Sequence, residues 1–423
     1  MLIFNAILLF LFDFYIFFAL RATKIKFVKS KLFSFIWWGY SIGLLVGLYI
    51  SAKYNIPLAY RSIILVAFFM TAVSKFIFII ILLVDDIRRG GIWIARLFSP
   101  QKSESLPDRM EDLSEPLPEV PKNGITRSEF LTKSGILVAS LPIFPLSWGM
   151  IAGGYDYTIR RQKLYLPNLP ASFHGMRIAQ ISDVHSGSFY NKKAVTGGIE
   201  MILGEKPDMV FFTGDLVNNL ASEMRDYQDI FAKLKADLGV YSVLGNHDYG
   251  DYYFGGEDSA AKRKNLADLK GTHKVMGWDL LLDENRPITV NNESISVLGV
   301  ENWGTGRFPK KGDLQKALQG TEEAPVKLLL SHDPSHWRAQ VLETDVDVMF
   351  AGHTHGMQFG VRGEHFQWSP AKYIYKEWAG LYEEQDQKLY VNVGFGFLGY
   401  PGRVGILPEI TIFELIKGEK PLV

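Results

Sequence analysis

The sequence predicts an α/β sandwich of two sheets flanked by helices, preceded by a region of membrane-spanning helices. Three observations carry this. Phe, Ile, Leu and Trp dominate residues 1 to about 155, in runs long enough to cross a bilayer. From Leu164 onward, short apolar runs rich in Val, Ile and Phe recur, bounded by Gly and Asp, as buried strands are. Five of those runs end in clusters of Asp, Asn and His.

In the membrane half, three runs can span about 30 Å of hydrocarbon: roughly 1–20, 32–50 and 62–84. A fourth, 135–154, carries Pro142 and Pro145, which membrane helices tolerate better than soluble ones. Residues 101–128 hold four prolines and mixed charge without a helical period, a linker composition. The expected organisation is therefore membrane helices over 1–100, a polar linker over 101–134, a fourth membrane helix over 135–154, and a catalytic domain over 155–423. Basic residues are dense in the first loop (Arg21, Lys24, Lys26, Lys29, Lys31) and the third (from Arg88 to Lys133), but sparse in the second. Loops rich in Lys and Arg stay cytoplasmic. That makes the chain a multi-pass protein of the cell membrane, with its C-terminal half extracytoplasmic if the fourth run spans. Asp13 and Lys75 lie inside membrane runs, where mutual pairing is the plain expectation and a functional role the sharper one.

Composition narrows the function. Lys plus Arg (45) equals Asp plus Glu (45), so no nucleic-acid partner is expected. The absence of cysteine excludes disulfide scaffolds and thiolate metal sites.

In the second half, runs 176–181, 209–213, 240–244, 327–330 and 346–350 each end in a polar cluster: Asp183 and His185; Asp215; Asn246, His247 and Asp248; His332; His353 and His355. Polar residues at the carboxyl ends of such strands converge on one crevice. Five of the nine histidines fall in these clusters. Runs 295–300, 389–393 and 410–415 add strands without ligands, expected in a second sheet. Helices are expected over 191–203, starting on an Asn cap, over 221–238, and from Pro334 through Leu342.

Hard oxygen donors (Asp183, Asp215, Asn246) mixed with imidazoles suit Mn, Fe, Zn, Co or Ni. Two divalent ions about 3.5–4 Å apart can share one carboxylate and clamp a phosphoryl group. Asp215, alone after its strand and preceded by Gly214, is the natural bridge. His174, His273, His336 and His365 match no cluster and read as surface or locally hydrogen-bonded. Arg403, in a glycine-rich loop, is a candidate phosphate contact. Trp303, Phe308, Phe366 and Trp368 are candidates to line an apolar approach for an acyl chain, with ordinary packing the favoured reading.

The ordered set Asp183-Val-His185, Gly214-Asp215, Gly245-Asn246-His247-Asp248, Ser331-His332 and Gly352-His353-Thr-His355-Gly356 resembles the calcineurin-like metallophosphoesterase superfamily, in particular its membrane-associated bacterial members. The resemblance covers about Leu164 to the C-terminus and implies a four-layer αββα sandwich of two mixed sheets. It implies one divalent metal on Asp183, His185, Asp215 and His355, and a second on Asp215, Asn246, His332 and His353. Water activated by the metals would attack phosphorus. His247 would donate to the leaving oxygen, with Asp248 orienting it; Asn246 and Arg403 would contact substrate. The implied substrate is a phosphorylated small molecule or lipid, cleaved at a phosphodiester, phosphomonoester or pyrophosphate bond. A non-catalytic phosphate-ligand sensor and a protein phosphatase are alternatives on the same fold.

Overall fold

The computed structural model describes residues 2–54, 56, 58–98, 127–306, 308, 310–363 and 366–421. The chain divides into two units, Met1–Pro145 and Leu146–Val423.

The first unit contains helices α1 (Leu2–Arg21), α2 (Lys31–Lys53), α3 (Leu58–Phe98) and α4 (Arg127–Ser140). Three described segments have the length and apolarity to cross a membrane: Lys31–Ser51, Ile63–Phe98 and Glu129–Tyr155. The first expected run is α1, whose side chains are described from Leu9 onward. Helix α3 runs well past its expected end at 84, because Asp85 and Asp86 pair with Arg88 and Arg89 one turn on and keep its polar part helical. The linker expected over 101–134 lies outside the described residues as far as 126, and from Arg127 the chain is already helical. The fourth expected run, 135–154, begins inside α4, whose earlier turns show no apolar period because its buried face is Glu129, Thr132, Gly135 and Ala139, while Phe130 and Leu137 point outward. Gly135 lets α4 approach α3 closely, since a Cβ there would meet the Phe78 ring at 2.6 Å. In this apolar setting Lys75 Nζ pairs with the buried Asp13 carboxylate and lies 5.6 Å from the Trp37 ring centroid.

The second unit opens with the end of helix α5 (Ile143–Ile151), which follows a break at Leu141 and Pro142. Two six-stranded sheets follow. The first has strand order β1-β14-β2-β3-β4-β5: β1 (Thr158–Leu166), β2 (Arg177–Ile181), β3 (Met209–Phe212), β4 (Val240–Ser242), β5 (Asp279–Leu280) and β14 (Glu409–Lys417). The second has order β12-β13-β9-β8-β7-β6: β6 (Glu284–Val290), β7 (Glu293–Gly299), β8 (Lys327–Leu330), β9 (Val348–Ala351), β12 (Gly380–Glu384) and β13 (Gln387–Val391). A hairpin of β10 (Val361–Arg362) and β11 (Gln367–Trp368) stands apart. Both sheets are mixed: β2, β3, β4 and β5 run parallel, as do β7, β8, β9 and β13, with antiparallel β14–β2, β6–β7 and β12–β13 pairs.

Side-chain alternation builds the layers. Ile178, Met209, Phe211, Leu328, Leu330 and Phe350 point between the sheets, and Phe211 meets Phe350 at 5.1 Å between ring centroids. Their neighbours Ala179, Val210 and Phe212 point outward under Val195, Ile199 and Ile202 of α6 (Lys192–Gly204). Leu329 and Met349 point the other way, under Leu314 and Trp337 of short helices on the second sheet. Both faces of the central strands are thus mostly apolar, and the result is the expected four-layer αββα sandwich.

Several elements depart from expectation. The strand over 410–415 joins the first sheet, between β1 and β2. Residues 221–238 form a 3-10 turn (Ala221–Asp226) and a single α turn (Gln228–Phe231). The Glu223 carboxylate accepts from the backbone N–H groups of Asn218, Asn219 and Leu220 and holds the segment in a tight turn. Helix Ala260–Met276 has no counterpart in the sequence reading. Its buried stripe of Asn265, Leu269, Thr272, His273 and Met276 is mostly polar, so hydrophobic spacing could not reveal it. The helix expected over 191–203 is present as α6, with Asn191 Oδ1 accepting from Ala194 N at 3.1 Å.

Removing one partner of a buried ion pair leaves an uncompensated charge, which costs about 3–5 kcal/mol, whereas replacing both with apolar groups is often neutral. Lys75→Met should therefore destabilise the chain in detergent more than the double variant Asp13→Leu/Lys75→Met, read by thermal unfolding. Equal losses would show that an unpaired Asp13 carboxylate carries no penalty there.

Candidate metal centre

Every residue of the five clusters sits just beyond the carboxyl end of a parallel strand. β2 leads to Asp183 and His185, β3 to Asp215, β4 to Asn246, His247 and Asp248, β8 to His332, and β9 to His353 and His355. The first three strands belong to one sheet and the last two to the other, so the site forms where the sheets meet. Close loop approach needs missing side chains. A Cβ on Gly352 would collide with Ser182 Oγ and the Asp183 carboxylate, and one on Gly245 with the Asp215 carboxylate. The two sheets are tied at this point by His353 N, which donates to the Asp183 carboxylate at 3.0 Å, and by Gln180 Nε2, which donates to Ala351 O at 3.0 Å.

Two buried groups of ligand atoms result. Asp183, His185 and His355 form one, and Asp215, His332 and His353 the other, with all ligand atoms within each group less than 4.8 Å apart. In the first, His355 Nε2 lies 3.2 Å from Asp183 Oδ1 and 3.0 Å from His185 Nε2. In the second, His332 Nε2 lies 3.2 Å from Asp215 Oδ2 and 3.3 Å from His353 Nδ1. Asp215 Oδ2 is also 3.5 Å from His185 Nε2, so this carboxylate touches both groups. Asn246 adds a buried side-chain carbonyl oxygen with no hydrogen-bond partner among the described residues, while its amide donates to Tyr252 OH at 3.0 Å. Imidazole nitrogens facing each other and an orphaned amide oxygen are what a cation would satisfy, so the donor set fits two divalent ions. Asp183, His185, Asp215, His353 and His355 all have left-handed backbone conformations. Such strain in non-glycine residues persists where the surroundings over-determine it, as at functional sites.

Burial alone would raise the Asp183 and Asp215 carboxyls, but the neighbouring imidazoles override it and hold both well below the usual carboxylate range. Burial drives His185 well below its ordinary value, whereas in His332 burial is overcome by Asp215 and the pKa rises to about 10. The His332 Nδ1–H is committed to Thr213 O at 2.7 Å, which leaves Nε2 as the ligating atom.

His247 is half-buried beside the groups, its ring edge-on to His185 at 4.9 Å and its Nδ1–H on Asn218 O at 2.8 Å. Two expected roles change. Asp248 does not orient the His247 ring; its carboxylate accepts backbone N–H bonds from Asp215, Leu216, Val217 and Gly245 and clamps the two ligand loops together. Burial and then the Asp215 charge push Asp248 up to about 7. Arg403 is not poised for phosphate. It is fully buried, donates to the carbonyls of Val393, Gly394 and Gly396, and places Nη2 3.2 Å from His355 Nδ1. It supports the His355 loop from behind.

Tyr375 OH, 2.8 Å from His353 Nε2, and Asp333, whose Oδ2 lies 3.6 Å from the same nitrogen, also hold the site. Neither is in the five clusters. Asp333 directly follows His332, a signal the sequence did offer; Tyr375 had none. Phe308 stands edge-on to His353 at 4.8 Å, whereas Trp303 stacks on His336 and serves packing. The remaining histidines are local: His273 bonds Ser242 Oγ, His336 bonds Ser331 Oγ and Gln340 Oε1, and His174 accepts from Lys417 N. His365 lies outside the described residues.

A metal ligates neutral imidazole, so loading must displace the proton that Asp215 holds on His332. Metal uptake should therefore release protons, and apparent affinity should rise with pH across the neutral range, as measured by competition with a chelator dye. A pH-independent affinity would contradict the His332 assignment. Tyr375→Phe should weaken metal binding by about 10-fold or more, the usual scale for a group orienting a ligand.

Residues 1–154 match the family described as "Probable Calcineurin-like phosphoesterase, transmembrane domain", and residues 176–357 match "Calcineurin-like phosphoesterase". A transmembrane protein with metallophosphoesterase domain from Danio rerio is 27% identical, covering 65% of this chain and 60% of that protein. The metallophosphoesterase YkuE of Bacillus subtilis is 29% identical over 58% of this chain and 81% of its own length. Among solved structures, the NAD nucleotidase of Haemophilus influenzae aligns at 16% identity with a TM-score of 0.31, over 45% of this chain and 39% of that one. The chain spans about 60% of the length of the Danio rerio relative. With both halves matched and both ligand groups assembled, the chain belongs to the calcineurin-like metallophosphoesterases that carry an N-terminal transmembrane domain.

Proposed function

We propose that the chain hydrolyses a phosphodiester, phosphomonoester or pyrophosphate bond, in a phosphorylated small molecule or a lipid-linked substrate. One observation carries the reading: two buried ligand groups share Asp215, with the half-buried His247 beside them. Asp183, His185, Asp215 and His355 would hold one divalent ion, and Asp215, Asn246, His332 and His353 the other, with Mn, Fe, Zn, Co or Ni suited to the donors. Bound there, the ions supply Lewis acidity and an activated water. The protein's own part is orientation and proton transfer. The bond from His247 Nδ1 to Asn218 O fixes the ring and leaves Nε2 free to donate to the leaving oxygen. Asp248 and Arg403 keep the ligand loops in place through main-chain bonds.

In this reading the catalytic half lies outside the cytoplasm, since Lys and Arg crowd the first and third loops. An extracytoplasmic reporter fused to the C-terminus, active only outside, tests that side.

The Mn-loaded full chain should cleave bis-p-nitrophenyl phosphate or a related generic ester. His247→Ala should retain metal yet lose about 100-fold or more in rate, the scale of general acid catalysis. Full activity of that variant would remove His247 from the mechanism, and a metal-replete wild type without turnover on any ester would favour the sensor reading.

A further inference from the structure

The loops behind His353 and His355 are stitched to the end of α5 by a chain of hydrogen bonds. Arg403 N donates to Gly149 O at 3.1 Å, and Tyr190 OH to Met150 O at 2.8 Å. Val404 N donates to Gln358 O at 2.8 Å, and Gly360 N to Val404 O at 2.9 Å. Gln358 Nε2 in turn reaches Tyr400 O and Gly402 O. The His355 loop continues directly into this network, and Ser369 Oγ closes it by donating to Gly356 O at 2.6 Å.

The outer side chains of these connected loops are apolar. Trp148 and Ile151 at the end of α5 are 61% and 79% exposed, and Met357, Phe359, Val361 and Ile374 are exposed as well. A soluble surface seldom carries so many large apolar groups together, and such a patch marks an interaction site. Its occupant is indicated by continuity and by residue type. Trp148 and Ile151 belong to Glu129–Tyr155, a segment long and apolar enough to cross a membrane. Aromatic and basic side chains at the rim are those that favour a bilayer boundary: Tyr190, Tyr373, and Lys372, whose ammonium lies 5.2 Å from the Tyr373 ring centroid. Between Met357 and Lys376 the described residues include no carboxylate; Glu364 lies outside them.

We propose that this rim is a lipid-contacting surface: Met357, Phe359, Val361 and Ile374 dip into the bilayer boundary beside the metal ligands, and the substrate is a phosphate-bearing lipid held in that bilayer. The second clause rests on the phosphoesterase reading above; the first does not. Met357 and Phe359 follow the ligand His355 closely in sequence, and Ile374 precedes Tyr375, which bonds the ligand His353. A lipid phosphate at the level of the headgroups would therefore reach the site without leaving the membrane.

The native chain has no cysteine, so single labelling sites can be introduced cleanly. The full chain in nanodiscs would carry an environment-sensitive fluorophore on Phe359→Cys, Ile374→Cys or, as a control on helix Ala260–Met276, Val275→Cys. Lipids bearing a nitroxide on the acyl chain should quench the first two and leave the third bright. Equal signals at all three positions would overturn the proposal, as would quenching absent at both rim positions, the result expected if a protein partner covers this face. In a second arm, Phe359→Ser/Ile374→Ser in liposomes should cleave a water-soluble ester normally but lose about tenfold on phosphatidic acid or a prenyl pyrophosphate carried in the bilayer. Equal effects on both substrate types would refute the lipid-substrate clause. Quenching without turnover on any ester would leave the rim standing and refute the phosphoesterase reading.

Discussion

The carboxylate of Asp215 is the constraint around which the second unit is organised. It is buried, and its Oδ2 lies within 3.5 Å of imidazoles from two different sheets, His185 and His332, while Oδ1 accepts the backbone N–H of His247 at 2.8 Å. Three ligand loops therefore converge on one side chain. Without cations, the surrounding donors face one another across distances that hydrogen bonds alone cannot all satisfy. His185 Nε2 and His355 Nε2 stand 3.0 Å apart, and one shared proton is the most that such a pair can use. Two positive ions would turn this crowding into coordination.

The fold supplies what that crowding needs. Parallel strands deliver five loops to one edge, where side chains facing both ways pack the layers rigidly behind them. Left-handed backbone at five ligand residues costs on the order of 1 kcal/mol or more each. The strained loops are held by buried charges that bind main chain: Asp248 by four N–H groups, Arg403 by several carbonyls. Each has its charge spread over backbone dipoles, which offsets part of the cost of burial without a direct ion partner.

The five ligand blocks were legible in the sequence because each is a polar cluster at the end of a largely apolar run, a contrast that survives without any contact information. The layered sandwich was legible for the same reason. The site groups that stayed hidden act mostly through contacts distant in sequence. Tyr375 meets His353 across 22 residues and Asn218 O meets His247 across 29. Arg403 and Asp248 were visible as charged residues, but nothing local told that their charges turn inward onto backbone. Edge strands β1 and β6 carry charged residues, and β6 also Pro287, which an edge tolerates and a central strand does not. The buried faces of the first turns of α4 and of helix Ala260–Met276 are polar or small, so their periodicity left no hydrophobic trace.

The proposed lipid-contacting rim would suit the site to phosphorylated substrates that stay in the bilayer. Such a site requires Asp215 to join two cations. The most direct test is elemental analysis of the purified full chain combined with anomalous diffraction at the metal edges. The account predicts two ions per chain about 3.5–4 Å apart, each within bonding distance of Asp215. A fully loaded protein with a single ion, or with Asp215 bound to only one of two, would contradict it.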